Sequence, residues 1–361
     1  MTHRIDSVVV IGLGRVGSLV AILLHETGIV VHGVDRSAPV GLDVPTSRID
    51  IEDPAALMKM LETTDAVIAC LPYHLAIVVA KAAHVQGIYY FDLTEDVSTA
   101  KQIYQLSTSA RAVMAPQCGL APGFIGIVGT ALSQKFDSLR SIELCVGALP
   151  QHPRGLLGYA FNWSPEGVVN EYLNDCEVIT DGKKKLVPPM GQLETIVIKG
   201  IQLEAFTTSG GLGTMCDTYQ GRVQELNYKT LRYPGHCKLM RFFFQELHMK
   251  QRRIEAGEIL VNAKPPVSDD VVYIHAAAEG HRGGRLMREE FVRAYYPKLI
   301  AKQMWRAIAW TTAASVSAVV ELVATGVLPD KGYIKQEEIP LDAFLKTRNG
   351  ALYSETPAKE A

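Results

Sequence analysis

The first third of the chain alternates short apolar runs with stretches of helical composition. The apolar runs are rich in β-branched residues, which is typical of buried parallel strands. They predict strands at Val8–Ile11, Ile29–Val34, Thr46–Ile51, Ala66–Leu71, Tyr89–Asp92 and Ala112–Ala115. The stretches between them predict helices at Ser18–His25, Pro54–Leu61, Leu75–Val85 and Lys101–Ser109. This alternation predicts an α/β fold with a doubly wound parallel sheet, in which ligands bind outside the carboxyl ends of the strands.

The pattern changes after Ser138, where strands follow one another with few helices between them. Strands are predicted at Ser141–Leu149, Leu157–Asn162, Cys176–Thr180, Gln192–Ile198, Ile201–Phe206, Gln224–Tyr233 and Val271–Ala277, with a hairpin turn at Asp181-Gly182. Helices are predicted at Pro165–Leu173, Lys238–His248 and Arg288–Tyr296. We therefore expect a first domain over residues 1–136 and an inserted α+β domain over 137–298. A C-terminal segment over 299–361 then returns to the first domain.

The first strand runs directly into a G-x-G-x-x-G sequence. In this motif Gly12 permits a tight turn, Gly14 lets the backbone approach a pyrophosphate, and Gly17 lets the next helix pack closely on the strand. Phosphate groups then meet free N–H groups at the helix N-terminus, where Arg15 and Val16 stand. An acidic residue ends the second strand about 20 residues further on, as the motif requires. These features predict a Rossmann-type dinucleotide-binding domain, with a bare structural turn as the alternative.

The acidic residue at the end of the second strand bears on the choice of cofactor. Asp35 stands where a carboxylate accepts hydrogen bonds from the adenosine ribose and repels a 2′-phosphate, which favours NAD over NADP. Arg36 leaves NADP open, because a guanidinium can pair with that phosphate. Asp50, after the third strand, is a candidate adenine contact, and a strand-end cap explains it equally. Leu71 and Pro72 follow the fourth strand at the same edge of the sheet.

Composition and charge narrow the classes of function. The chain has 361 residues, enough for two domains, of which 48% are hydrophobic and 20% charged. A net charge of −2 without blocks of like charge argues against nucleic acid or a membrane surface as a partner. The stretch Ala307–Leu328 approaches the length of a membrane span, but Glu321 and several hydroxyl side chains favour a buried helix. Six scattered cysteines without CxxC spacing predict reduced thiols, no metal site and a cytoplasmic protein.

The loop that follows the sixth strand is the main candidate for contact with the reactive end of the cofactor. Residues Met114–Gly123 contain two prolines and two glycines, so the backbone can pass close to a planar ring. This predicts a nicotinamide-facing loop formed by Cys118, Gly119, Leu120 and Ala121. Hydride transfer needs no thiol, so Cys118 is expected to act only as a small residue beside the ring. An inter-domain hinge is the alternative interpretation.

Two motifs in the second domain carry candidate substrate contacts, each with a plain structural alternative. Trp163 precedes Ser164-Pro165, which is typical of a capped helix start, and Asn170 follows on the same helix. The aromatic and amide side chains are candidates for substrate contact, although a capped helix alone explains the motif. A strand then leads into Thr208, Ser209 and Gly210, whose N–H groups and hydroxyls suit a small carboxylate. A tight turn explains this second motif equally.

A third motif, Lys229–His236, ends a strand and opens a helix. Arg232 is a candidate bidentate partner for a substrate carboxylate, with Tyr233 next to it. A histidine at a helix N-terminus has its cationic form disfavoured, so His236 can remain neutral and accept a proton near pH 7. A locally hydrogen-bonded helix-start residue is the alternative for His236.

These motifs together resemble the saccharopine dehydrogenase-like superfamily, and within it the lysine 6-dehydrogenase branch. The resemblance rests on VVVIGLGRVG, CLPYHLA, DLTED, CGLAPGF, WSPEG, FTTSGG and TLRYPGHC, in that order. It implies NAD-dependent oxidative deamination of the ε-amino group of L-lysine to 2-aminoadipate 6-semialdehyde, which cyclises, with release of ammonia. His236 is then the candidate general base, with Glu95 and Glu166 as rivals. Ser209, Gly210 and Arg232 are candidates for the α-carboxylate.

Three further expectations accompany this resemblance. Saccharopine and carboxynorspermidine dehydrogenases share the scaffold and need another carboxylate site, for which Arg154 and Arg222 are candidates. A non-catalytic NAD-binding protein is a second alternative. The resemblance also implies a homo-oligomer assembled through the sheet of the second domain, and Val271–Ala277 is too apolar for an open sheet edge.

Overall fold

The computed structural model describes residues 4–37 and 41–354, and the remaining residues of the expected domains lie outside it. The chain divides into two compact units. The second comprises Ile125–Ile308, and the first comprises the residues up to Phe124 and from Ala309 onwards. The sequence-based domains change instead at residues 136 and 298. The helix after Phe124 and the segment 299–308 are therefore grouped differently by the two divisions.

The first unit is built on a seven-stranded sheet in which every pairing is parallel. Its strands are β1 (Ser7–Ile11), β2 (Val30–Asp35), β3 (Thr46–Arg48), β4 (Ala66–Ala69), β5 (Tyr89–Asp92), β6 (Val113–Ala115) and β17 (Gly332–Tyr333). Its helices are α1 (Arg15–His25), α2 (Pro54–Leu61), α3 (Tyr73–Gln86), α4 (Val97–Ser107) and α11 (Leu341–Lys346). Two more helices cross the boundary between the units. Helix α5 (Phe124–Ser133) has only its first residue in the first unit, and α10 (Ala307–Ala324) belongs to the first unit from its third residue onwards. The strand order is β17-β6-β5-β4-β1-β2-β3.

This sheet confirms the predicted doubly wound α/β fold. Strand β4 is buried at every residue, as expected of a parallel strand covered on both faces. Helix α2 begins at the predicted residue because the Asp53 carboxylate accepts hydrogen bonds from the N–H groups of Ala55 and Ala56. Strand β3 ends at Arg48 rather than at the predicted position, so Asp50 lies beyond the strand in the turn before α2.

The second unit is built on a mixed sheet. Its strands are β7 (Ser138–Pro150), β8 (Cys176–Thr180), β9 (Lys183–Val187), β10 (Glu194–Ile198), β11 (Ile201–Thr207), β12 (Glu225–Arg232), β13 (Asp270–Arg282) and β14 (Arg285–Tyr295), with a separate hairpin of β15 (Lys298–Ile300) and β16 (Gln303–Trp305). Its helices are α6 (Pro165–Leu173), α7 (Met215–Tyr219), α8 (His236–Arg241), which a π-helical turn at Phe242–Glu246 extends, and α9 (Arg253–Ala263). The main order is β10-β11-β12-β7-β13-β14, and the hairpin β8-β9 attaches to β12.

Several elements of the second unit differ from the sequence prediction. The predicted helix Arg288–Tyr296 is wrong, because this segment lies in β14 and pairs with β13 along its whole length. Non-local hydrogen bonding there outweighs the helix propensity of an Arg-Glu-Glu sequence. The predicted strand Leu157–Asn162 is also wrong: the segment is irregular, and its aromatic residues pack inside the unit. Helix α9 was not predicted at all.

The position of β13 removes one argument for self-association. Val271–Ala277 was expected to be covered by a second copy of the chain, because an open apolar edge is unfavourable. The strand in fact lies between β7 and β14, so its apolar residues are covered within the chain itself. The homo-oligomer stays a prediction without this support.

Helix α10 has the length and composition of a membrane span, yet 83% of it is buried inside the protein. This is the arrangement of a core helix, as the sequence predicted for Ala307–Leu328. At its start, the Asp270 carboxylate accepts hydrogen bonds from the N–H groups of Ala307 (2.6 Å) and Ile308 (2.9 Å). These two donors have no partner inside the helix, so Asp270 defines where α10 begins.

Candidate functional site

The glycine-rich turn between β1 and α1 leaves no room for a side chain at two of its three glycines. A Cβ on Gly12, whose φ is 91°, would lie 2.4 Å from the main-chain oxygen of Cys70. A Cβ on Gly17 would lie 1.8 Å from the oxygen of Gly12. A Cβ on Gly14 would meet nothing within 4 Å, so the open space lies beside the start of α1. This is the arrangement that lets a pyrophosphate approach the backbone.

The first turn of α1 offers N–H groups to an anion. Gly14 is the N-cap residue and no side chain caps the helix among the described residues. Arg15 is exposed and Val16 half-buried in this turn. Uncapped N–H groups and the helix dipole both favour a phosphate at this position. The residues present therefore fit a dinucleotide.

Asp35, at the end of β2, is hydrogen-bonded to the glycine-rich turn. Its Oδ2 accepts a hydrogen bond from the N–H of Leu13 (2.7 Å), and its Oδ1 accepts from the N–H of Ser37 (2.9 Å). The next residue, Arg36, is exposed and forms ion pairs with Glu52 and with Asp50 (3.4 Å). Two carboxylates thus pair with one guanidinium next to Asp35, at the position where an adenosine ribose is expected.

The remaining cofactor candidates follow the strands of the first sheet. Leu71 and Pro72 follow β4 after one intervening residue. The loop after β6 contains Cys118, Gly119, Leu120 and Ala121. The Cys118 thiol is fully buried and donates a hydrogen bond to the carbonyl of Ala115 (3.0 Å). Burial, with Asp92 nearby, raises the pKa of this thiol well above its ordinary value. Cys118 is therefore a neutral, small residue and not a nucleophile.

Asp92 is a fully buried carboxylate at the end of β5. Its Oδ1 accepts hydrogen bonds from the N–H groups of Thr94 (3.0 Å) and Gln117 (2.9 Å), and its Oδ2 accepts from the Tyr90 hydroxyl (2.7 Å). Gln117 has a φ of 65°, so Asp92 holds the start of the candidate nicotinamide loop in a left-handed conformation. Burial raises the pKa of Asp92 to about 6, against the opposing effect of these hydrogen bonds.

We expect Asp92→Asn to remove a pH dependence of stability. The folded protein binds this proton more tightly than the unfolded chain does, so the wild type loses roughly 3 kcal/mol of stability as the pH rises from about 4 to about 6. Asparagine keeps an oxygen for both N–H groups, and its amide can donate to Tyr90, whose hydroxyl then donates to Ala76. Urea-unfolding midpoints between pH 4 and 8 measure the difference. Asp53→Asn, at the exposed N-cap of α2, is the matched control, and parallel profiles for the wild type and Asp92→Asn would contradict the prediction.

In the second unit, Arg232 is the centre of a buried aromatic cluster. It is 2% exposed, its Nε donates to the Tyr172 hydroxyl (2.7 Å), and its Nη1 donates to the hydroxyl of Thr230 and the carbonyl of Leu231. The guanidinium carbon lies 4.6 Å from the centre of the Tyr159 ring. Burial acts to lower the pKa of Arg232, but the neighbouring phenols and Glu171 outweigh it and raise that pKa above its ordinary value. The remaining nitrogen, Nη2, has no hydrogen bond to a described residue.

His236 begins α8 and completes this cluster. Its Nδ1 lies 3.0 Å from the carbonyl of Leu157, which can only accept, so Nδ1 carries the hydrogen. Its Nε2 lies 2.9 Å from the Tyr172 hydroxyl. Because a neutral ring with its hydrogen on Nδ1 has none on Nε2, the Tyr172 hydroxyl donates its own hydrogen to Nε2. Burial, and then the charge of Arg232, lower the pKa of His236 to about 3.

In this geometry His236 has a structural role. The ring is neutral and both of its nitrogens are engaged, so neither is available to a substrate proton in this arrangement. It instead keeps Leu157 and Tyr172 in place around Arg232. The assignment of His236 as the general base stays a prediction.

The loop after β11 lies against helix α6. The N–H of Ser209 donates to the carbonyl of Glu171 (3.1 Å), and the Ser209 hydroxyl donates to the carbonyl of Asn170 (3.3 Å). Gly210 has a φ of 88°. Next to them, the hydroxyl of Thr208 is buried with no hydrogen-bond partner among the described residues. The Thr208 hydroxyl is thus an unused donor and acceptor. The next residue, Ser209, contacts the two residues that precede Tyr172 in α6.

Several candidate substrate residues have structural partners. Ser164 caps α6 by accepting from the N–H of Gly167 (3.0 Å), as its motif predicts. The Asn170 side chain accepts a hydrogen bond from Arg253 in α9 (3.1 Å), and the Tyr233 hydroxyl donates to the carbonyl of Pro150. Trp163 is half-buried against the core of the second unit.

Of the four remaining charged candidates, one belongs to the first unit and three belong to the second. Glu95 is half-buried after β5 in the first unit, and Glu166 is exposed on α6 in the second. Arg154 and Arg222 are both exposed, and Arg222 lies over the ring of Tyr219. Neither arginine has the buried, hydrogen-bonded setting of Arg232.

Sequence reasoning missed two residues of the arginine cluster. Tyr172 lies in α6, in a stretch that is buried at every residue from Gly167 to Leu173, so no helical period distinguished it from its neighbours. Tyr159 lies in the segment wrongly taken for a strand. Its hydroxyl is buried without a hydrogen bond of normal geometry, although Trp163 lies near enough to influence its pKa.

The fold and the glycine-rich turn define a protein with a Rossmann-type dinucleotide-binding unit and a second, α+β unit. Residues 8–116 match the family described as "Saccharopine dehydrogenase NADP binding domain", and residues 119–348 match "Saccharopine dehydrogenase C-terminal domain". The chain belongs to the saccharopine dehydrogenase family.

Curated relatives match only part of this chain. The mitochondrial alpha-aminoadipic semialdehyde synthase of Mus musculus is 25% identical over 201 residues, which are 52% of this chain and 22% of that protein. The saccharopine dehydrogenase [NADP(+), L-glutamate-forming] of Schizosaccharomyces pombe is 23% identical over 171 residues, 46% of this chain and 36% of that protein. The chain thus covers about a fifth of the length of the first relative and just over a third of the second.

Solved structures share the fold over nearly the whole chain. Apo saccharopine dehydrogenase (L-Glu forming) from Saccharomyces cerevisiae superposes with a TM-score of 0.76 at 16% identity, over 94% of this chain and 96% of that one. An engineered D-amino acid dehydrogenase bound to NADP+ gives 0.51 at 12% identity, over 96% and 98%. At these identities the likeness concerns the fold.

Proposed function

We propose that this protein is an NAD-dependent dehydrogenase that oxidatively deaminates the ε-amino group of L-lysine. The observation that carries the proposal is the free Nη2 of the buried Arg232, with the unpartnered hydroxyls of Thr208 and Tyr159 in the same unit. A buried cation with one open donor site suits a carboxylate, and buried hydroxyls without partners suit a ligand that supplies them. The glycine-rich turn supports the cofactor half of the proposal.

In the proposed reaction, the protein binds and orients the amino acid. Arg232 takes the α-carboxylate, and its fixed Nε and Nη1 leave Nη2 aimed by hydrogen bonds to Tyr172 and Thr230. A nicotinamide held by the glycine-rich turn would supply the acceptor for the hydride that leaves the carbon carrying the ε-nitrogen. Before this, the ε-ammonium must lose a proton, because only the free amine has an electron pair to form the iminium. Water then adds to that carbon, and ammonia leaves with formation of the aldehyde.

The proton acceptor is assigned to a carboxylate in this proposal. His236 has both ring nitrogens engaged and a pKa of about 3, so it is a weak base for an ammonium group. Glu95, half-buried at the carboxyl edge of the first sheet, is the first candidate. Glu166 is exposed on α6 and ranks second.

NAD is proposed over NADP because of charge around the ribose position. A 2′-phosphate there would meet Asp35, Asp50 and Glu52, and Arg36 beside them is already paired with two of these carboxylates. Adding two more negative charges to this group is unfavourable. The NADP in the name of the matching family and of the Schizosaccharomyces pombe relative points the other way, so the experiment includes both cofactors.

The reduced cofactor formed with L-lysine tests the proposal. Purified protein is mixed with NAD or NADP and with L-lysine, ornithine, cadaverine or saccharopine, and absorbance at 340 nm and released ammonia are measured together. We expect lysine-dependent reduction of NAD with one ammonia per reduced cofactor. Cadaverine carries the same reacting amine without the α-carboxylate, so its failure to react would identify the carboxylate requirement. If none of the amines reduced either cofactor, the proposal would be overturned.

Oxidation of saccharopine is the second candidate function, favoured by the names of the curated relatives. A secondary amine of this kind carries an additional dicarboxylate portion, which needs further cations. Arg154 and Arg222 are the exposed candidates. Turnover of saccharopine without ammonia release, and none of lysine, would select this reaction.

A further inference from the structure

Gln336 comes from the C-terminal part of the chain and lies beside the loop that follows β6. Strand β17 pairs in parallel with β6, and the chain then enters a 3-10 turn at Gln336–Glu338. The Gln336 side chain is 5% exposed. It is therefore a buried polar group at the carboxyl edge of the first sheet, within the first unit.

Two hydrogen bonds determine the orientation of the Gln336 amide. Its Nε2 donates to the carbonyl of Pro116 (3.0 Å) and to the sulfur of Cys118 (3.2 Å). The Pro116 oxygen can only accept, so the NH2 group must face it and the amide cannot be flipped. The carbonyl oxygen Oε1 is thereby directed to the other side.

This Oε1 atom has no hydrogen-bond partner among the described residues, although it is buried. A neighbouring donor is unavailable, because the Cys118 thiol hydrogen goes to the carbonyl of Ala115. Leaving a buried carbonyl unpaired is unfavourable, and nearly all such groups in proteins have a partner. Oε1 is thus a buried acceptor for which the described residues supply no donor.

The strand order indicates which donor this is. Asp35 follows β2 on one side of β1, whereas Gln336 follows β17 beyond β6 on the other side. A dinucleotide whose adenosine ribose lies at Asp35 and whose pyrophosphate lies at the turn after β1 extends its nicotinamide toward β5 and β6. The nicotinamide carboxamide carries an NH2 group, which is a donor of the kind that Oε1 lacks.

We propose that Gln336 Oε1 accepts a hydrogen bond from the carboxamide NH2 of the nicotinamide cofactor. Gln336 is then a binding residue contributed by the C-terminal segment, held in place by the loop that carries Cys118. The inference rests on the cofactor part of the proposed function and is independent of the amine substrate. The alternative donor is an ordered water molecule.

Calorimetric binding of three ligands to the full chain tests this proposal without turnover. NAD has the carboxamide, 3-acetylpyridine adenine dinucleotide replaces its NH2 by a methyl group, and ADP-ribose lacks the whole nicotinamide. We expect the wild type to bind NAD roughly five- to tenfold more tightly than the acetylpyridine analogue. In Gln336→Met this ratio should fall to about one, with the affinity for ADP-ribose unchanged. Glu338→Gln, on the exposed side of the same turn, is the matched control and should keep the wild-type ratio.

The outcomes separate this proposal from the others. Equal affinity of the wild type for NAD and the acetylpyridine analogue would overturn it before any variant is made, and would favour water as the donor. A Gln336→Met protein that keeps the ratio, or that loses affinity for all three ligands by the same factor, would also overturn it. Absence of lysine oxidation would remove the proposed reaction and leave this result untouched.

Discussion

Arg232→Met is expected to lower kcat/KM for L-lysine about a hundredfold or more, mostly through KM. The substitution removes the one buried cation of the aromatic cluster and the free Nη2 that the proposed function gives to the α-carboxylate. A hydrogen bond between charged groups contributes about 1.5–3 kcal/mol, and a buried carboxylate left without a cation adds to the loss. Methionine retains an apolar side chain of similar length between Tyr159 and Tyr172. The affinity for NAD should remain within a factor of two.

Two comparisons make the Arg232 result specific. Arg140→Met removes an exposed arginine of the same unit, paired with Glu279, and should leave the kinetics unchanged. Cadaverine lacks the carboxylate, so any residual turnover of cadaverine should be equal in the wild type and in Arg232→Met. If Arg232→Met weakened lysine and cadaverine to the same extent, Arg232 would be a structural residue only.

Gly17→Ala is expected to weaken NAD binding strongly and to destabilise the first unit. Its Cβ would lie 1.8 Å from the carbonyl oxygen of Gly12, and both atoms belong to rigid backbone, so α1 must move away from β1. Overpacking of this kind costs about 1–3 kcal/mol of unfolding free energy. Displacement of α1 also removes its first-turn N–H groups from the phosphate position, and we expect NAD affinity to fall about a hundredfold or more.

Gly14→Ala separates the two effects. A Cβ at residue 14 meets no atom within 4 Å and the backbone there has an ordinary φ of −66°, so stability should equal that of the wild type. The same methyl group would occupy the open space beside the first turn of α1 and weaken NAD. Thermal unfolding and calorimetric titration of both variants make the comparison. Normal NAD affinity in either variant would contradict the assignment of the turn to the pyrophosphate.

The first unit could be predicted from the sequence because its strands are buried on both faces. Short apolar runs such as Ala66–Ala69 that alternate with helical stretches are typical of a parallel sheet. Asp53-Pro54 indicates the start of a helix, because aspartate is a favoured N-cap residue and proline is favoured at the first helical position. Strand β14 could not be predicted in the same way. Its Arg-Glu-Glu segment is half-exposed and takes its conformation from β13, a partner that local sequence does not reveal.

The parts of the candidate site that are local in sequence could likewise be predicted, and the parts that depend on tertiary contacts could not. The glycine-rich turn and Asp35 are local in sequence, so their spacing was sufficient. The cluster around Arg232 is assembled from an irregular segment, a helix, the end of a strand and a second helix start. Its hydrogen bonds, such as the one that His236 donates to the carbonyl of Leu157, depend on tertiary packing. The low pKa of His236 follows from that packing, and the unpaired acceptor on Gln336 follows from packing within the first unit, so neither could be predicted from residue types.

Strand β17 has a consequence for the order in which the protein is synthesised. It completes the first sheet beside β6, yet it comes from residues 332–333, after the whole second unit. Until the ribosome has made these residues, β6 stands at an unfinished edge with free main-chain groups, which can pair with another chain. A chain interrupted after the second unit is therefore expected to be prone to aggregation, even though most of the first sheet is already present.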